Sequence, residues 1–312
     1  MEVKDFEPKK QSVNELAKQL KTTAFNARKL GEAVEILKEM IEDKSCVKFL
    51  GIAGALVPAG MSKCIVEMIE NKWVDIIVST GANITHELAN CFGEKYYQCE
   101  PEKVNDLELR EKGLDRIYDV YSSSTTMAIV EKNLQEILGK MKEGEYATFK
   151  LMQEIGKRIK KKDSILRAAF ENGVKIIIPG IVDSILGIQV WMYSQDHNLK
   201  INEMKDLDFL INLNFDLKKE GKSSGALILG GGVPKNFILQ SVLLADKPHK
   251  YVVQITTEVP EYGGLSGATL EEALSWGKVD KNSKICTVYC DSTIALPIIV
   301  SSLKESLTLQ KT

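Results

Sequence analysis

Six short apolar runs, each followed by a stretch with helical character, constrain the fold of this chain more than any other feature. The runs are nearly continuous in apolar residues, which is typical of strands covered on both faces. They are predicted at residues 47–52, 73–79, 174–178, 225–229, 251–256 and 285–289. Strands of this kind separated by helices predict an α/β fold with a doubly wound, mostly parallel sheet. Because no repeat or low-complexity linker interrupts the pattern, we expect a single large domain.

The start of the chain carries its own helix signal. Ser12 and Glu15 have the spacing of a capping box, and the apolar periodicity after them predicts one long amphipathic segment through about Asp43. Residues 1–11 are charged and lack an apolar core, so they are interpreted as a flexible N-terminal segment and not as a secretory signal. The folded domain is expected over residues 12–312. The middle, residues 93–162, is the least regular part; we predict two polar, lysine-rich helices there, one on each side of Gly144.

Charge and hydropathy exclude several classes of partner. The net charge of the 312-residue chain is −2, so no global basic field is available to attract nucleic acid or an anionic membrane. The longest apolar run, residues 176–192, is interrupted by Pro179, Asp183 and Gln189. It is therefore interpreted as a buried strand followed by a site loop and not as a membrane span.

The six cysteines indicate a reducing compartment. They form no C-x-x-C pair and lie within apolar segments, so we expect reduced thiols in a cytoplasmic protein. Cys286 and Cys290 are four residues apart on a predicted strand, where both are expected to face the core. With only three histidines in the chain, we predict no metal site.

Small or polar residues follow the predicted strands at Gly54, Thr80, Gly81, Asp183, Gly230 to Gly232, Thr257 and Asp291. In open α/β sheets, ligands bind in the crevice at the carboxyl ends of the strands. The triple glycine precedes a helix, which favours a pyrophosphate. Asp183 and Asp291 suit either ribose hydroxyls or a helix N-cap, and the pattern leaves both readings open. The G-x-G-x-x-G fingerprint is absent after the first strand, so this is not a standard dinucleotide-binding half.

A glycine-rich turn beginning at Gly263 leads into a short helix and then into Lys278. Thr269 and Glu272 have capping-box spacing, and Trp276 lies two residues before the lysine. An indole wall would desolvate the ammonium and lower its pKa, as a lysine that attacks an imine or carbonyl carbon requires. An ordinary surface lysine after a helix is the alternative, and the local residues leave both possibilities open.

Several of these segments together resemble the deoxyhypusine synthase family, most closely its archaeal type. They are residues 22–27, 49–51, 58–61, 79–83, 183–184, 230–235, 275–278 and 289–291, spread over nearly the whole chain. The most specific is the Ser275-Trp276-Gly277-Lys278 signature. The resemblance implies a Rossmann-like NAD-binding topology and a homotetramer with active sites across a dimer interface. It also implies NAD-dependent transfer of the aminobutyl group of spermidine to one lysine of a translation initiation factor, the first step of hypusine formation.

The resemblance also assigns residues to roles. Lys278 would be the catalytic residue and would carry the aminobutyl fragment as a Schiff base. Substrate contacts would come from Glu272, Trp276, Asn236 and His86. The residues implied to line NAD are Gly54, Ser79, Thr80, Gly81, Asp183, Gly230, Gly231, Gly232, Thr257, Gly263, Gly264, Ser266, Asp291 and Ser292.

The chain departs from the eukaryotic pattern at positions that hold the polycation. Ile188 and Leu265 stand where acidic side chains are usual, and Asn236 replaces a histidine. Two acids are also usual in the family where this chain has His86 and Glu87, which leaves one carboxylate there. His86 is the candidate general base, with a structural histidine as the alternative. Compensating polar groups could come from Glu258, Glu261 or Tyr262.

Three alternatives to this function follow from the same residues. The altered acidic set would suit an aminobutyltransferase that acts on a free diamine, as in homospermidine formation. A non-catalytic NAD-binding scaffold is disfavoured because Lys278, Trp276 and Glu272 are all present. A simple Rossmann dehydrogenase is disfavoured further, because neither the glycine fingerprint nor an acid/base pair beside a hydride site is visible.

Overall fold

The computed structural model describes residues 2–308 of the chain. Its strands are β1 Cys46–Ile52, β2 Ile76–Ser79, β3 Tyr97–Gln98, β4 Leu114–Ile117, β5 Val120–Ser123, β6 Gly144–Tyr146, β7 Lys175–Ile177, β8 Leu199–Ile201, β9 Ser223–Leu229, β10 His249–Thr256 and β11 Val279–Tyr289. Its α-helices are α1 Val13–Thr22, α2 Phe25–Glu42, α3 Ser62–Glu70, α4 Gly81–Cys91, α5 Asp106–Glu111, α6 Thr126–Leu138, α7 Thr148–Arg158, α8 Ile165–Asn172, α9 Ile185–Ser194, α10 Met204–Lys219, α11 Gly232–Gln240, α12 Glu272–Ser275 and α13 Ser292–Thr308.

The predicted strands pair into one sheet of six strands in the order β11-β10-β9-β1-β2-β7, and every pairing in it is parallel. The chain therefore builds outward from β1 through β2 to β7, crosses back to β9, and continues to β10 and β11. This is the doubly wound Rossmann order, whose switch point lies between β1 and β9. The predicted fold class is confirmed.

Alternating side chains of the strands enter two separate cores, one on each face of the sheet. On β1, Phe49 packs into the core with α7, α10 and α11, whereas Leu50 packs into the larger core with α2, α3 and α13. Ala226 and Leu227 of β9 divide in the same way. Because both faces are covered, each strand has to be apolar throughout, which is the pattern seen in the sequence.

The N-terminal region is broken where the sequence predicted one continuous helical segment. The capping box of Ser12 and Glu15 is present and begins α1. The helix stops at Thr22, and α2 begins at Phe25, whose φ of +56° places it in the left-handed region. Residues 2–11 form neither helix nor strand, yet the Lys4 N–H donates to the Thr22 carbonyl at 3.0 Å. The flexibility of this segment stays a prediction.

The middle of the chain adds elements that the sequence did not predict. Between β2 and β7 lies a three-stranded antiparallel sheet in the order β3-β5-β4, followed by α6 and α7 on either side of Gly144, as expected. The run at residues 176–192 forms the end of β7, a loop at residues 178–184 and most of helix α9. A loop therefore follows the strand as expected, and its part in a site stays a prediction. Within residues 2–308, no helix has both the length and the apolar character that a membrane crossing needs.

Candidate functional site

The crevice, as we call the first of two sites, opens at the carboxyl ends of β1, β9, β10 and β11, across the switch point of the sheet. It has a volume of ≈ 340 Å³. Gly54 follows β1 and Gly230 follows β9, both with a φ of +81°. A Cβ atom on Gly54 would meet nothing within 4 Å, so this part of the backbone faces open space. Small residues and exposed backbone at a switch point are what a nucleotide needs for close approach.

The crevice brings together part of the predicted cofactor set. The members that line it are Gly54, Gly230, Gly231, Thr257, Ser266, Asp291 and Ser292. The members that do not line it are Ser79, Thr80, Gly81, Asp183, Gly232, Gly263 and Gly264. Of the residues that do not line the crevice, Ser79 to Gly81 lie at the end of β2 and Asp183 follows β7. These two strands lie on one side of β1 in the sheet, whereas β9, β10 and β11 lie on the other side.

Two of the predicted cofactor residues that do not line the crevice have clear structural roles. Ser79 is fully buried, and its hydroxyl lies 3.4 Å from the Asn83 amide nitrogen. Gly81 packs so closely on α9 that an added Cβ would lie 2.3 Å from the Ser184 hydroxyl oxygen. The glycine at this position is therefore explained by helix packing.

Asp183 and Asp291 were each predicted to be either a ribose contact or a helix N-cap, and the structure distinguishes them. Asp183 is exposed, and the N-cap of α9 is its neighbour Ser184, so the Asp183 carboxylate is not used as that cap. Asp291 lines the crevice, but its Oδ1 accepts from the Thr293 N–H at 2.7 Å and so begins α13. The N-cap interpretation therefore holds for Asp291.

The crevice continues into a neighbouring hollow of ≈ 480 Å³ that no sequence pattern predicted. The two share Ala55, Ala59, Asp291 and Thr293. The far wall of the hollow comes from the antiparallel sheet, including the turn at residues 117–120. A ligand in the crevice can thus extend beneath this sheet.

The lysine cleft, as we call the second site, contains Lys278 and has a volume of ≈ 370 Å³. The Lys278 Nζ atom donates to the Asn236 amide oxygen at 3.3 Å and lies 5.7 Å from the centroid of the Trp276 ring. Glu272 and Leu265 complete this side of the cleft. The structure therefore groups three of the four predicted substrate contacts around the predicted nucleophile.

The predicted capping box before Lys278 is present in part. The Thr269 hydroxyl accepts from the Glu272 N–H at 3.0 Å, and the helix that follows, α12, is only four residues long. Gly277 then takes a φ of +67°, and β11 begins directly after Lys278. The lysine is thus held between a tight turn and a strand.

His86 is the predicted substrate contact that the structure leaves apart from the others. It lies on α4 and lines neither the crevice nor the lysine cleft. Its Nδ1 atom is 2.9 Å from the Tyr96 hydroxyl, and burial lowers its pKa. Within one chain the structural reading of this histidine is therefore favoured.

Glu87 is not available as a substrate acid in this chain. It is fully buried, and its Oε1 accepts from the Ile165 N–H at the start of α8 at 2.6 Å. Burial raises its pKa to about 7. The expectation that one carboxylate at this position serves the amine was wrong for a single chain, because α4 turns that carboxylate toward α8. Of the proposed compensating groups, only Glu258 lines a site, and that site is the crevice.

The cysteines are free thiols, as expected, and Cys286 is buried in the core. Cys290 follows the end of β11 at Tyr289; it packs against the larger core, as expected, and it also lines the crevice. Over residues 2–308, no three His, Cys, Asp or Glu side chains cluster as metal ligands.

One loop contributes residues to both sites. Residues 264–268, which we call the wall loop, place Ser266 in the crevice and Leu265 and Ala268 in the lysine cleft. The loop is tied to the sheet by Gln254, whose amide nitrogen donates to the Ser266 carbonyl at 2.8 Å, and by the Ser266 hydroxyl, which accepts from the Gly232 N–H at 2.9 Å. The sequence pattern did not predict that the glycine-rich turn would serve as a partition.

Known proteins resemble this chain over most of its length. The family model for deoxyhypusine synthase matches residues 15–303. A "Probable deoxyhypusine synthase 1" of Archaeoglobus fulgidus is 43% identical over 295 residues, which is 94% of this chain and 94% of that protein. None of this supports the free-diamine alternative.

Two solved structures share the fold. A "putative deoxyhypusine synthase from Entamoeba histolytica" superposes with a TM-score of 0.65 at 18% identity, covering 92% of this chain and 91% of the other. The ternary complex of AgrE with ornithine and NAD⁺ gives a TM-score of 0.56 at 10% identity, covering 92% of this chain and 34% of AgrE. At these identities the likeness concerns the fold alone, whereas the sequence matches over nearly the full length show that the chain belongs to the deoxyhypusine synthase family.

Proposed function

We propose that this protein transfers the aminobutyl group of spermidine to a lysine of a translation initiation factor, with NAD as cofactor. The observation that carries the proposal is the lysine cleft. Lys278 lies there with Asn236, Trp276 and Glu272, and the wall loop lines both the cleft and the crevice. A nucleophilic lysine beside a nucleotide-sized crevice suits a reaction in which a bound amine is first oxidised and then captured.

The crevice has the features that NAD requires. It lies at the switch point of a Rossmann sheet, it begins with backbone that faces open space at Gly54, and α11 starts at its edge. NAD, when bound, would accept a hydride from the carbon beside the secondary amine of spermidine and later return it. Thr80 and Asp183 lie further along the same sheet edge and stay proposed cofactor contacts.

The residues of the lysine cleft have distinct tasks in this scheme. The Lys278 amine attacks the imine carbon of oxidised spermidine, the bond to the departing diamine breaks, and a Schiff base to Lys278 remains. The acceptor lysine then displaces Lys278 by the same exchange. Asn236 orients the nucleophile through its amide oxygen, Glu272 faces an ammonium of the amine, and Trp276 packs along its methylene groups.

A second copy of the chain would complete the site. Several apolar side chains that line the lysine cleft are exposed, including Trp276 at 63% and Leu265 at 43%. One carboxylate, Glu272, is present in the cleft lining for an amine with several positive charges. We propose that a partner copy in a homotetramer covers this surface and supplies further polar groups. A cytoplasmic location stays a prediction as well.

Trapping tests the proposal directly. The protein is incubated with NAD and spermidine, reduced with borohydride, and digested for mass spectrometry. An aminobutyl adduct on Lys278 is expected, and omission of NAD should abolish it. Tight NAD binding without any adduct would rule out spermidine as donor. Addition of the initiation factor before reduction should move the label from Lys278 to one lysine of that factor, whereas transfer to putrescine alone would favour the free-diamine reaction.

A further inference from the structure

Lys235 is a buried cation whose setting the proposed chemistry does not explain. It lies in the first turn of α11, where the helix dipole disfavours positive charge, and only 2% of it is exposed. No carboxylate of the described residues lies within 4 Å of its ammonium group. A buried charge in such a place is costly unless all its donors are satisfied.

The donors of Lys235 are satisfied by the wall loop. Its Nζ donates to the carbonyl of Leu265 at 3.2 Å, to that of Ser266 at 3.5 Å, and to that of Ala268. An ammonium has three N–H donors, and here all three are directed to backbone carbonyls of one short loop. Neutral side chains of similar size cannot make this set of bonds.

The wall loop is the partition between the two sites. Through it, one ammonium fixes Ser266 on the crevice side and Leu265 on the cleft side at the same time. Lys235 itself lines the lysine cleft with Glu272 and Lys278. A change in the loop would therefore alter both sites together.

We propose that Lys235 is a positioning residue that holds the wall loop through its charge and thereby couples cofactor binding in the crevice to the geometry of the lysine cleft. The coupling rests on the proposed function, because it assumes that the crevice takes NAD. The hold on the loop does not depend on that function.

The charge of Lys235 can be switched within an accessible pH range. The pKa of Lys235 is lowered to about 8, mainly by burial; Glu272 raises it and nearby Lys278 lowers it. Those two groups are the ionisable side chains that act on it. Above about pH 8 the neutral amine turns a lone pair toward a carbonyl, and the hold on the loop weakens.

The first test is hydrogen exchange of the ligand-free protein with the substitution Lys235→Met. Amides of residues 264–268 should exchange about tenfold faster or more, while β9 and β10 keep their protection. The control is Lys219→Met, which removes an exposed lysine of α10. Unchanged exchange in the wall loop would refute the hold itself, whether or not the protein binds NAD.

The second test is NAD affinity by calorimetry between pH 6.5 and 9.5. In the wild type, affinity should fall as pH rises through about 8, and in Lys235→Met it should be about tenfold weaker at pH 7 and flat with pH. Lys278→Ala removes a cation that lowers the pKa of Lys235, so the fall of affinity with pH should persist in that variant with its midpoint moved to higher pH. A wild-type NAD affinity that does not change with pH would overturn the coupling even if Lys235→Met did not fold. Absence of NAD binding by the wild type would instead refute the proposed function and, with it, the coupling. Hydrogen exchange would still test whether Lys235 holds the wall loop.

Discussion

The crevice and the lysine cleft lie on opposite sides of one loop, yet they are built in different ways. The crevice consists mainly of backbone and small residues at strand ends, such as Gly54 and Gly230. The lysine cleft consists of long side chains from α11 and the turn before β11, including Lys235, Trp276 and Lys278. The first site thus follows from topology, and the second depends on the identity of a few side chains.

Because of this difference, the two sites should tolerate different kinds of substitution. A backbone-built crevice is sensitive to added volume and insensitive to most polar changes, because its recognition groups are peptide units. A cleft built from side chains loses its chemistry with one substitution and keeps its fold.

The largest effect is expected for Lys278→Ala. Removing the nucleophile should lower transfer by about a thousandfold or more, because the other amine that lines the cleft, that of Lys235, is bonded to carbonyls of the wall loop. NAD affinity should change by less than about twofold, since the crevice shares no lining residue with the lysine cleft. Rapid-quench assays and calorimetry give the two numbers. A large loss of NAD affinity would show that the two sites are not chemically separate.

A smaller but clear effect is expected for Gly231→Ala. An added Cβ would lie 2.5 Å from the Ser266 Cα atom, so the wall loop would have to move. We expect NAD affinity to weaken about tenfold and unfolding to be easier by about 1–3 kcal/mol.

The matched control for that substitution is Gly264→Ala. Its Cβ would meet nothing within 4 Å, and its φ lies outside the left-handed range. Denaturant melts and calorimetry should therefore show little change. Equal damage from both substitutions would mean that loop flexibility, and not the contact at Gly231, matters for the crevice.

A moderate effect is expected for Trp276→Ala. Loss of the ring beside Lys278 should slow adduct formation by about tenfold, with Trp276→Phe recovering part of it. Trp191 on α9 has a similar exposure, 61% against 63%, and Trp191→Ala is the control. If both substitutions slow trapping equally, the tryptophans act through a shared interface, and the ring at Trp276 has no special role in the cleft.

The two sites were also unequally predictable from the sequence. The six strands follow from the apolar pattern, because a strand buried on both faces has to be apolar throughout. The glycines at the crevice follow from their positions just after those strands, where ligands bind in open α/β sheets. The lysine cleft followed from the Ser275-to-Lys278 signature. Nothing in a local pattern revealed Lys235, since its three carbonyl partners lie some 30 residues later in the chain.

The errors have physical causes of the same kind. The break between α1 and α2 depends on a left-handed residue, Phe25, that propensity does not predict. The antiparallel sheet at residues 97–123 has short strands with half-exposed faces, so its apolar signal is weak. Glu87 was assigned by its position relative to the family, and the direction of its side chain is decided by packing of α4 against α8.

The smallest effect on activity is expected for Glu87→Gln, which tests the assignment of Glu87 to the N-terminus of α8. The folded pKa of Glu87 is raised from 4.5 to about 7, so between these values the folded state holds a proton that the unfolded state has lost. Stability should therefore fall as pH rises from about 4.5 to 7, by at most about 3 kcal/mol, and Glu87→Gln should remove that slope. Urea melts at several pH values measure this slope, with Glu136→Gln at an exposed position as control.

Trapping of the adduct at Lys278 should stay within about twofold of the wild type in Glu87→Gln, because Glu87 serves the N-terminus of α8. If trapping collapsed while the melts were unchanged, Glu87 would belong to the amine site, and the lysine cleft would extend to α4 of a neighbouring copy.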